Sequence, residues 1–418
     1  MKIYFHTFGC KVNQYETELL REEFDRKGWV FTGNFAEADV CLINSCAVTT
    51  EAEQKCRQFI RRLRRRNPQA KIILTGCYPQ LQAEKLKTIF PAIEIFPQQK
   101  KNKIVDTISG YTGKNFPLPA VNNANNSETI SRFAGHERAF VKIQDGCQTK
   151  CSYCVVPYAR PNFWFQKLEK VLEEVKKLVE NGYKEIVLTG IRLGIYPDLL
   201  PLLEQLELVP GLQRIRLSSL EITEVSEGLI DLLAGTKKLA RHLHLPLQSG
   251  DRDILKAMKR WYTPEDFLRI VEKLRRKIPD IGITSDLIVG FPCEAEENFR
   301  RTVQLVKILA FSGLHIFSFS PRPGTIAAGL PGQISGEVKK ERYRRLKTLD
   351  NLLRQQFIQE FIGKKVEVLV ESKEINNFCS GFSPQYFRVC FPAVPGLKNK
   401  VVSVQIESTE KNLAYGRI

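Results

Sequence analysis

The sequence predicts an α/β protein with three folded parts: an N-terminal parallel α/β domain, a central partial (β/α)6 barrel and a C-terminal small β-barrel. Three observations support this prediction. The chain has 418 residues, which is too many for one ordinary hydrophobic core. Strand-like apolar runs alternate with helix-like stretches in residues 1–110 and again in residues 137–334, as in parallel sheets. The tail instead shows short alternating strands separated by Gly and Pro turns.

The first part, residues 1–110, contains three apolar runs that end in cysteine. These runs read TFGC, INSC and LTGC, and they place Cys10, Cys46 and Cys77 at strand ends. Because the carboxyl ends of parallel strands meet at one edge of a sheet, we expect the three thiols to emerge together. Core packing of the cysteines is the alternative. The helix-like stretches of this part are at 15–27, 50–66 and 80–90.

The central part, residues 137–334, contains six strand candidates. They are AFVKIQ, EIVLTG, RIRLSS, HLHLPL, ITSDLIVG and LHIFSFS, separated by helix-like segments. Six such β-α units in succession favour a partial barrel whose site lies on the face where the strands end. An open doubly wound sheet would give the same strand count.

Two segments connect the folded parts. Residues 111–136 are rich in Gly, Pro, Asn and Ser and show no periodicity, which indicates a domain linker. Residues 335–362 have apolar positions at helical spacing with basic residues between them, which predicts a surface helix. This helix leads to residues 363–418, whose strands favour a small β-barrel of a kind that often binds RNA.

The composition indicates a basic protein with a phosphate-bearing partner. The formal net charge is +17 and the pI is near 9.3, and a nucleic-acid backbone is the commonest partner of such a positive surface. The sequence has no apolar run of membrane-spanning length and no basic-then-apolar leader, so we expect a cytoplasmic protein that does not enter a membrane. Eleven cysteines fit a reducing compartment better than a disulfide framework.

Cys147, Cys151 and Cys154 form a C-x3-C-x2-C motif in the loop after the first barrel strand. A closed zinc site usually has four protein ligands, so this motif is one ligand short. Three thiolates on an iron–sulfur cube would instead leave one iron open to a substrate or cofactor. If His136 were the fourth ligand, the site would be closed and structural.

The motif, with the aromatic Tyr153 before its last cysteine, resembles that of the radical S-adenosylmethionine (SAM) enzymes. Further stretches resemble the methylthiotransferases of that superfamily, and the resemblance covers essentially the whole chain. They are TFGCKVNQYETE, INSCAVT, LTGCYPQ, IQDGCQTKCSYCVVPYAR, HLHLPLQSGDRDILKAMKRWYT and DLIVGFP. The tail is similar to a TRAM RNA-binding domain.

This resemblance implies two [4Fe–4S] clusters, an auxiliary one on Cys10, Cys46 and Cys77 and a radical SAM cluster on the C-x3-C-x2-C cysteines. One SAM would methylate a sulfur species on the auxiliary cluster, and a second would be cleaved to the 5′-deoxyadenosyl radical. GCKVNQYETE is similar to the subgroup that adds methylthio to C2 of N6-threonylcarbamoyladenosine at tRNA position 37. Isopentenyladenosine in tRNA and a ribosomal-protein aspartate are alternative substrates. A non-catalytic, metal-containing RNA-binding protein is the alternative from another class.

The resemblance also implies partners and SAM contacts. The partners are tRNA, a low-potential electron donor and a sulfur donor of unspecified chemistry, and no oligomeric state follows. The basic run 57–71 would suit an RNA backbone, or it is a solvated helix face. Strand-end residues are the expected SAM contacts, although such residues can equally cap the next helix. The SAM-contact candidates are Tyr153, Thr189, Gly190, Ser219, Glu221 and Gln248.

Two stretches depart from the family pattern. After Arg160 the family usually continues with Gly and a Ser/Arg-rich stretch, whereas residues 161–166 read PNFWFQ. These aromatic side chains could stack on a base. Cys293 stands in GFPCE where the family usually has Gly.

Overall fold

The computed structural model describes residues 1–109, 129–375 and 377–418. Most of the predicted linker, residues 111–128, lies outside this part of the chain. The fold comprises two compact units. The first is formed by Met1–Ala134, Asp145–Thr149 and Cys154–Phe165, and the second by Gly135–Gln144, Lys150–Tyr153 and Gln166–Ile418. The five-part division of domains expected from the sequence stays a prediction.

The first unit is built on a parallel five-stranded sheet of order β2-β1-β3-β4-β5. The central strand β3 is buried along its whole length, as expected for a parallel sheet covered on both faces. The strands are β1 (Lys2–Thr7), β2 (Val30–Phe31), β3 (Val40–Ser45), β4 (Lys71–Gly76) and β5 (Glu94–Pro97). The helices are α1 (Lys11–Arg26), α2 (Thr50–Arg66), α3 (Cys77–Ile89) and α4 (Ile104–Ser109).

The second unit contains six parallel strands in chain order. Two three-stranded sheets, β6-β9-β10 and β11-β12-β13, are joined by parallel bridges from Ile215 to Leu239 and from Ser219 to His244. This arrangement confirms the predicted partial barrel rather than a doubly wound sheet. The six barrel strands are β6 (Arg138–Lys142), β9 (Glu185–Thr189), β10 (Arg214–Leu217), β11 (His242–His244), β12 (Gly282–Val289) and β13 (Gly313–Ser318). Two short strands, β7 (Gln144–Asp145) and β8 (Trp164–Phe165), lie between β6 and β9 in the chain and are not among the six.

Helices follow the barrel strands, as the alternating pattern predicts. Thr263 begins one of them with a capping box, because its hydroxyl accepts from the Asp266 N–H while Asp266 accepts from the Thr263 N–H. The helices are α5 (Val156–Ala159), α6 (Leu168–Glu180), α7 (Leu199–Glu207), α8 (Glu227–Gly235), α9 (Arg252–Ala257), α10 (Pro264–Lys277) and α11 (Glu296–Leu309).

The C-terminal part is a closed five-stranded barrel of order β14-β15-β16-β18-β17, which confirms the predicted small β-barrel. A long helix, α12 (Gly336–Gln359), precedes it as expected. The strands are β14 (Lys365–Ile375), β15 (Phe378–Phe382), β16 (Arg388–Pro392), β17 (Val401–Glu410) and β18 (Leu413–Arg417). In the described ranges, no helix is both long and apolar enough to span a bilayer.

A buried carboxylate joins the amino ends of the barrel strands to the C-terminal barrel. Glu185 is fully buried and accepts from Arg216 Nε at 2.9 Å and from Arg214 Nη1 at 3.1 Å, while Arg138 Nη1 lies 3.9 Å away. Each arginine also reaches the C-terminal barrel. Arg214 donates to the carbonyls of Phe382 and Glu367, Arg216 donates to those of Pro384 and Ser383, and Arg138 pairs with Glu371.

A loop of the C-terminal barrel packs tightly against this end of the central barrel. A Cβ on Gly282, the first residue of β12, would overlap the carbonyl oxygen of Gln385. The ring of Tyr386 lies 4.7 Å from His242 and stacks on Phe382 at 4.8 Å. Residues 383–386 therefore pack against the start of the barrel strands.

Candidate functional site

Three cysteines follow neighbouring strands of the N-terminal sheet. Cys10 comes after β1 and caps α1, Cys46 follows β3, and Cys77 follows β4 as the first residue of α3. Because β1, β3 and β4 are adjacent and parallel, their carboxyl ends lie side by side. The structure thus places these cysteines at one sheet edge, and their role as cluster ligands stays a prediction.

Two glycines let the backbone approach closely beside these cysteines. Gly9 has φ of +111° and Gly76 has φ of +100°, both in the left-handed region that favours glycine. A Cβ on Gly9 would lie 2.9 Å from the Cβ of Cys46, and a Cβ on Gly76 would overlap the carbonyl oxygen of Ser45. The glycines before Cys10 and Cys77 are therefore required by close contacts of the backbone.

The three sulfurs are close enough to affect one another. Burial raises the pKa of the Cys77 thiol to about 12, the positive charge of Arg160 opposes this shift, and the nearby thiols of Cys10 and Cys46 add to it. Burial also raises the pKa of Cys46. Since thiolates rather than thiols bind metals, filling this site releases protons and benefits from a neighbouring cation.

Arg160 is that cation, and it lies in a buried ion network within the first unit. Its side chain is 2% exposed. Nη1 donates to Glu16 Oε1 at 2.8 Å and to both carboxylate oxygens of Asp145 at 2.9 Å. Nη2 donates to Glu16 Oε2 at 3.0 Å and to Asn13 Oδ1 at 2.5 Å. These partners satisfy a charge that would be very costly to bury alone.

Asn13 connects this network to the cysteine edge. Its Nδ2 donates to the carbonyls of Phe8 at 2.9 Å and of Ser45 at 3.2 Å, and so ties together the ends of β1 and β3. The Sγ of Cys10 lies 3.9 Å from its Oδ1. Asn13 therefore holds the strand ends that carry two of the cysteines, while Arg160 holds Asn13.

A second buried cation, Lys101, belongs to the same network. Lys101 Nζ donates to Glu16 Oε2 at 2.6 Å and to Asn44 Oδ1 at 3.3 Å. Arg160 and Lys101 thus bring two positive charges to the buried carboxylates of this network. The sequence analysis did not identify this network. Its one signal in the sequence is a single arginine in the otherwise uncharged stretch CVVPYARP.

The cysteines of the C-x3-C-x2-C motif are all partly buried. Gly146, directly before Cys147, has φ of +77°, and a Cβ there would lie 2.5 Å from the carbonyl oxygen of Asn162. Cys154 Sγ accepts from the N–H of Val156 at 3.4 Å. The loop is thus fixed by a close backbone contact on one side and by a sulfur hydrogen bond on the other.

Arg260 provides a charged hydrogen bond to the middle cysteine of the motif. Its Nη1 donates to Cys151 Sγ at 3.3 Å, and its Nη2 pairs with Glu221. The guanidinium lies over the rings of Trp261, at 4.5 Å, and Tyr262, at 4.9 Å. Hydrogen bonds to ligating sulfurs tune the reduction potential of an iron–sulfur cluster. Arg260 is a second functional candidate that the sequence analysis missed.

Tyr153 lies beside a buried apolar cluster of the second unit that includes Phe291. The preceding residue fixes its backbone, because Ser152 donates its N–H to Met258 O at 3.0 Å and its hydroxyl to Ala257 O at 2.8 Å. This packing holds the loop between the second and third motif cysteines against the segment after α9.

The other expected SAM contacts are at the carboxyl ends of barrel strands. Thr189 ends β9 and is buried, and Gly190 packs against Gln144, whose Oε1 would lie 3.0 Å from an added Cβ. Ser219 follows β10 and bridges to His244 of the next strand. Their common edge is the one predicted, and their contact with SAM stays a prediction.

Two further SAM-contact candidates, Gln248 and Glu221, differ: the backbone of Gln248 indicates a functional role, whereas the partners of Glu221 also fit a structural one. Gln248 has φ of +64°, which is uncommon for a residue other than glycine, and its N–H donates to Asp286 O at 2.8 Å. Such strain is concentrated at functional sites. Glu221 instead pairs with Arg260 and precedes the 3-10 turn Ile222–Glu224, which also fits the helix-capping alternative.

The PNFWFQ segment packs partly against itself. Phe163 and Phe165 lie edge to face with their ring centroids 5.0 Å apart. Both rings and that of Trp164 are half-buried. The segment therefore has a packing role in the first unit, and base stacking stays a prediction.

Cys293 stands where the family usually has glycine, and glycine would adopt the backbone conformation of this residue without strain. Its φ is +64°, in the left-handed region, and its side chain is exposed. Its N–H donates to Gly332 O at 2.9 Å and its thiol to Pro331 O at 3.3 Å. These two contacts hold the backbone in this conformation.

The remaining candidate ligands have packing roles. Cys41, Cys56 and Cys379 are buried, and burial raises the pKa of Cys41 to about 11 and that of Cys56 to about 12. Cys390 is half-buried. The ring of His136 packs near Phe140 with the centroids 6.2 Å apart.

The donor sets suit iron–sulfur clusters. Each triad offers only thiolate sulfur, which is the ligand that such clusters require, and three thiolates leave one iron for another ligand. At the sheet edge, Arg160 supplies positive charge near the sulfurs, and Gly9 lets the backbone pass close to Cys46. Residues Cys10, Cys46 and Cys77 would hold one cluster, and Cys147, Cys151 and Cys154 the other.

Two family models match the chain. Residues 2–97 match the uncharacterized protein family UPF0004, and residues 141–306 match the radical SAM superfamily. The first match covers the sheet that carries Cys10, Cys46 and Cys77. The second covers the C-x3-C-x2-C motif and most of the partial barrel.

Characterised relatives cover nearly the whole chain. The threonylcarbamoyladenosine tRNA methylthiotransferase MtaB of Bacillus subtilis is 37% identical over 96% of this chain and 93% of its own length. The MtaB of Thermotoga maritima is 40% identical over 91% of this chain and 89% of its own. A tRNA-2-methylthio-N6-dimethylallyladenosine synthase of Thermodesulfovibrio yellowstonii is 37% identical over 91% of this chain and 90% of its own.

The fold agrees with these relatives. The radical SAM methyltransferase TsrM of Kitasatospora setae superposes with a TM-score of 0.59 at 16% identity, covering 78% of this chain and 75% of that chain. At this identity the likeness concerns the fold alone. The relatives that match nearly the whole chain at 37–40% identity show that it belongs to the radical SAM methylthiotransferases, a family of transferases.

Proposed function

We propose that the protein inserts a methylthio group at C2 of N6-threonylcarbamoyladenosine at tRNA position 37. Several relatives that match nearly the whole chain bear the name of this activity. The structural observation that carries the proposal is the presence of three thiols at one sheet edge in a chain that also has a C-x3-C-x2-C motif. A sulfur-transfer reaction driven by a radical needs one open iron site for each task.

The cofactors are SAM and [4Fe–4S] clusters, of which we propose two. When bound, the clusters would supply the electron for SAM cleavage and the iron site that holds the sulfur to be transferred. The chain's own residues prepare these sites. Arg160 favours thiolates at the sheet edge, and Arg260 holds Cys151 and orients Glu221 at the end of β10.

RNA binding is assigned to two basic elements. The outward face of α2 carries exposed Arg61, Arg62, Arg65 and Arg66, which can contact phosphates. The C-terminal barrel is the second element, because small barrels of this size commonly bind RNA and the resemblance is to a TRAM domain. A tRNA substrate places the proposed reaction in the cytoplasm. SAM cleavage would need a low-potential electron donor, and methylthio insertion would need a sulfur donor.

The test is an anaerobic reaction followed by mass spectrometry of the digested nucleosides. Cluster-loaded protein is mixed with SAM, dithionite and tRNA that carries N6-threonylcarbamoyladenosine. We expect a methylthio mass gain on that nucleoside, and loss of the gain in Cys10→Ala and in Cys147→Ala. Cys390→Ala is the matched control, since it removes a half-buried cysteine outside both triads and should leave the reaction intact.

Different failures of this test have different meanings. A mass gain on tRNA carrying dimethylallyladenosine, with none on the threonylcarbamoyl substrate, would assign the other tRNA activity that occurs among the relatives. Formation of 5′-deoxyadenosine without any nucleoside product would leave the radical step intact and reject both tRNA substrates. No SAM cleavage with either tRNA would reject the proposed reaction itself.

A further inference from the structure

Two imidazoles and a carboxylate meet inside the central barrel, and none of them belongs to either cysteine triad. They are His244 of β11, Asp286 of β12 and His315 of β13. Their potential ligand atoms all lie within 4.8 Å of one another. His244 Nε2 is 3.2 Å from Asp286 Oδ1, and the two imidazole centroids are 5.5 Å apart.

Strand register brings these side chains together. β11, β12 and β13 are adjacent and parallel, with His244 opposite Thr284 and Asp286 opposite His315. Thr284 and Asp286 are two residues apart and therefore project from the same face of β12. Ser285 and Leu287 project from the other face and are fully buried. The cluster thus belongs to the more open face of the strand.

A buried hydroxyl fixes the orientation of one imidazole. Thr284 Oγ1 lies 2.9 Å from His244 Nδ1 and 2.9 Å from His242 Nε2. When this hydroxyl accepts the Nδ1–H of His244 and donates its own proton to His242, the lone pair of His244 Nε2 points towards Asp286. Metal-binding histidines commonly have such a partner on the second ring nitrogen.

The donor set selects a class of ion. Two imidazole nitrogens and one carboxylate oxygen suit divalent manganese, iron, cobalt, nickel or zinc, whereas Ca²⁺ and Mg²⁺ prefer all-oxygen sites. Three ligands on one side of an ion leave further coordination positions open. His244 and Asp286 are half-buried and His315 is exposed, so those open positions face solvent-accessible space.

We propose that His244, Asp286 and His315 bind a divalent transition-metal ion inside the barrel. Binding draws the three ligand atoms closer than they are here, and the exposed His315 side chain has the freedom to make that movement. The open coordination positions would accept oxygen or nitrogen donors of a molecule in the barrel. This site goes beyond the proposed methylthiolation and does not depend on it.

Manganese(II) is the probe, because it is a poor thiolate binder and the clusters already occupy the cysteine triads. Cluster-loaded protein is freed of loose metal and titrated with Mn(II), and the electron paramagnetic resonance (EPR) signal of free Mn(II) gives the bound fraction. We expect one bound Mn(II) per chain, with nitrogen couplings from two imidazoles in pulsed spectra.

Variants separate this site from nonspecific binding. His315→Ala and Asp286→Asn should abolish stoichiometric binding, and Thr284→Val should weaken it about tenfold through loss of the supporting hydroxyl. His136→Ala is the matched control and should bind Mn(II) as wild type does. His315 is exposed, so its variant keeps the test valid if substitution of a more buried ligand prevents folding. Absence of stoichiometric Mn(II), bound Mn(II) without nitrogen coupling, or unchanged binding in His315→Ala would overturn the proposal.

Discussion

At the scale of single residues, Arg160 is buried and makes several hydrogen bonds, although it stands in an otherwise uncharged stretch of sequence. Arg160→Gln would remove the guanidinium that contacts both Glu16 and Asp145 in the interior of the first unit. We expect the free energy of unfolding of the first unit to fall by about 3–5 kcal/mol, because a buried charge loses its partner. Urea unfolding followed by circular dichroism measures this loss.

A double variant identifies the cause of this loss. Adding Asp145→Asn to Arg160→Gln removes one of the stranded charges, so the double variant should lose less stability than the two single changes summed. Simple additivity would mean that the contacts of Arg160 with Asp145 are energetically unimportant.

Cys293 allows a test of backbone strain. Glycine adopts its left-handed conformation without the penalty of about 1–2 kcal/mol that a Cβ incurs there. Cys293→Gly should therefore raise the free energy of unfolding by about 1 kcal/mol relative to Cys293→Ala, which removes the same thiol but keeps the Cβ. Equal denaturation midpoints for the two variants would contradict the expected penalty of a Cβ in this left-handed conformation.

At the scale of elements, α2 combines an apolar inner face with a basic outer one. If its exposed arginines contact tRNA phosphates, Arg61→Gln, Arg65→Gln and Arg66→Gln together should reduce the slope of log affinity against log salt by about 3. Fluorescence anisotropy of labelled tRNA over a KCl series measures the slope. The control replaces the exposed Arg269, Arg276 and Lys277 of α10 with Gln, for the same change in charge, and should keep the wild-type slope.

The elements also show where sequence reasoning succeeds and where it stops. Strand-like runs predicted the sheet, the partial barrel and the small barrel because burial imposes an apolar pattern on each strand. The helix starts were predicted less evenly. α2 begins at Thr50 as predicted, whereas α1 begins at Lys11 rather than 15, since Cys10 caps it and is not one of the usual capping residues. Arg160, Arg260 and the His244 cluster were missed because their partners are far apart in sequence and meet only in the folded chain.

At the scale of the whole molecule, Glu185 couples the central barrel to the C-terminal barrel and makes this junction sensitive to acid. Burial raises the pKa of Glu185, but Arg216, Arg214 and Arg138 outweigh burial and hold the pKa below its usual value. A carboxyl group with a lowered pKa stabilises the fold above its unfolded pKa, about 4.3. This stabilisation is lost as the pH falls through the lower folded value.

Wild-type protein should therefore lose stability below about pH 4.3 more steeply than Glu185→Gln. At neutral pH, the variant should be less stable by about 3–5 kcal/mol, because three arginines lose their shared carboxylate. Unfolding by urea at a series of pH values measures both effects. Parallel pH profiles for the two proteins would mean that other carboxylates govern the acid response.

The same junction affects how the protein is made. The carbonyl groups that accept from Arg214 and Arg216 lie 153 to 168 residues later in the chain. At ordinary translation rates, roughly 10–30 s separate the emergence of the two sides from the ribosome. During that interval the guanidinium groups at the base of the nascent barrel lack these final partners. The amino end of the central barrel therefore gains these partners only after residues 367–384 leave the ribosome, and a transcript truncated before them yields a barrel whose buried arginines stay without them.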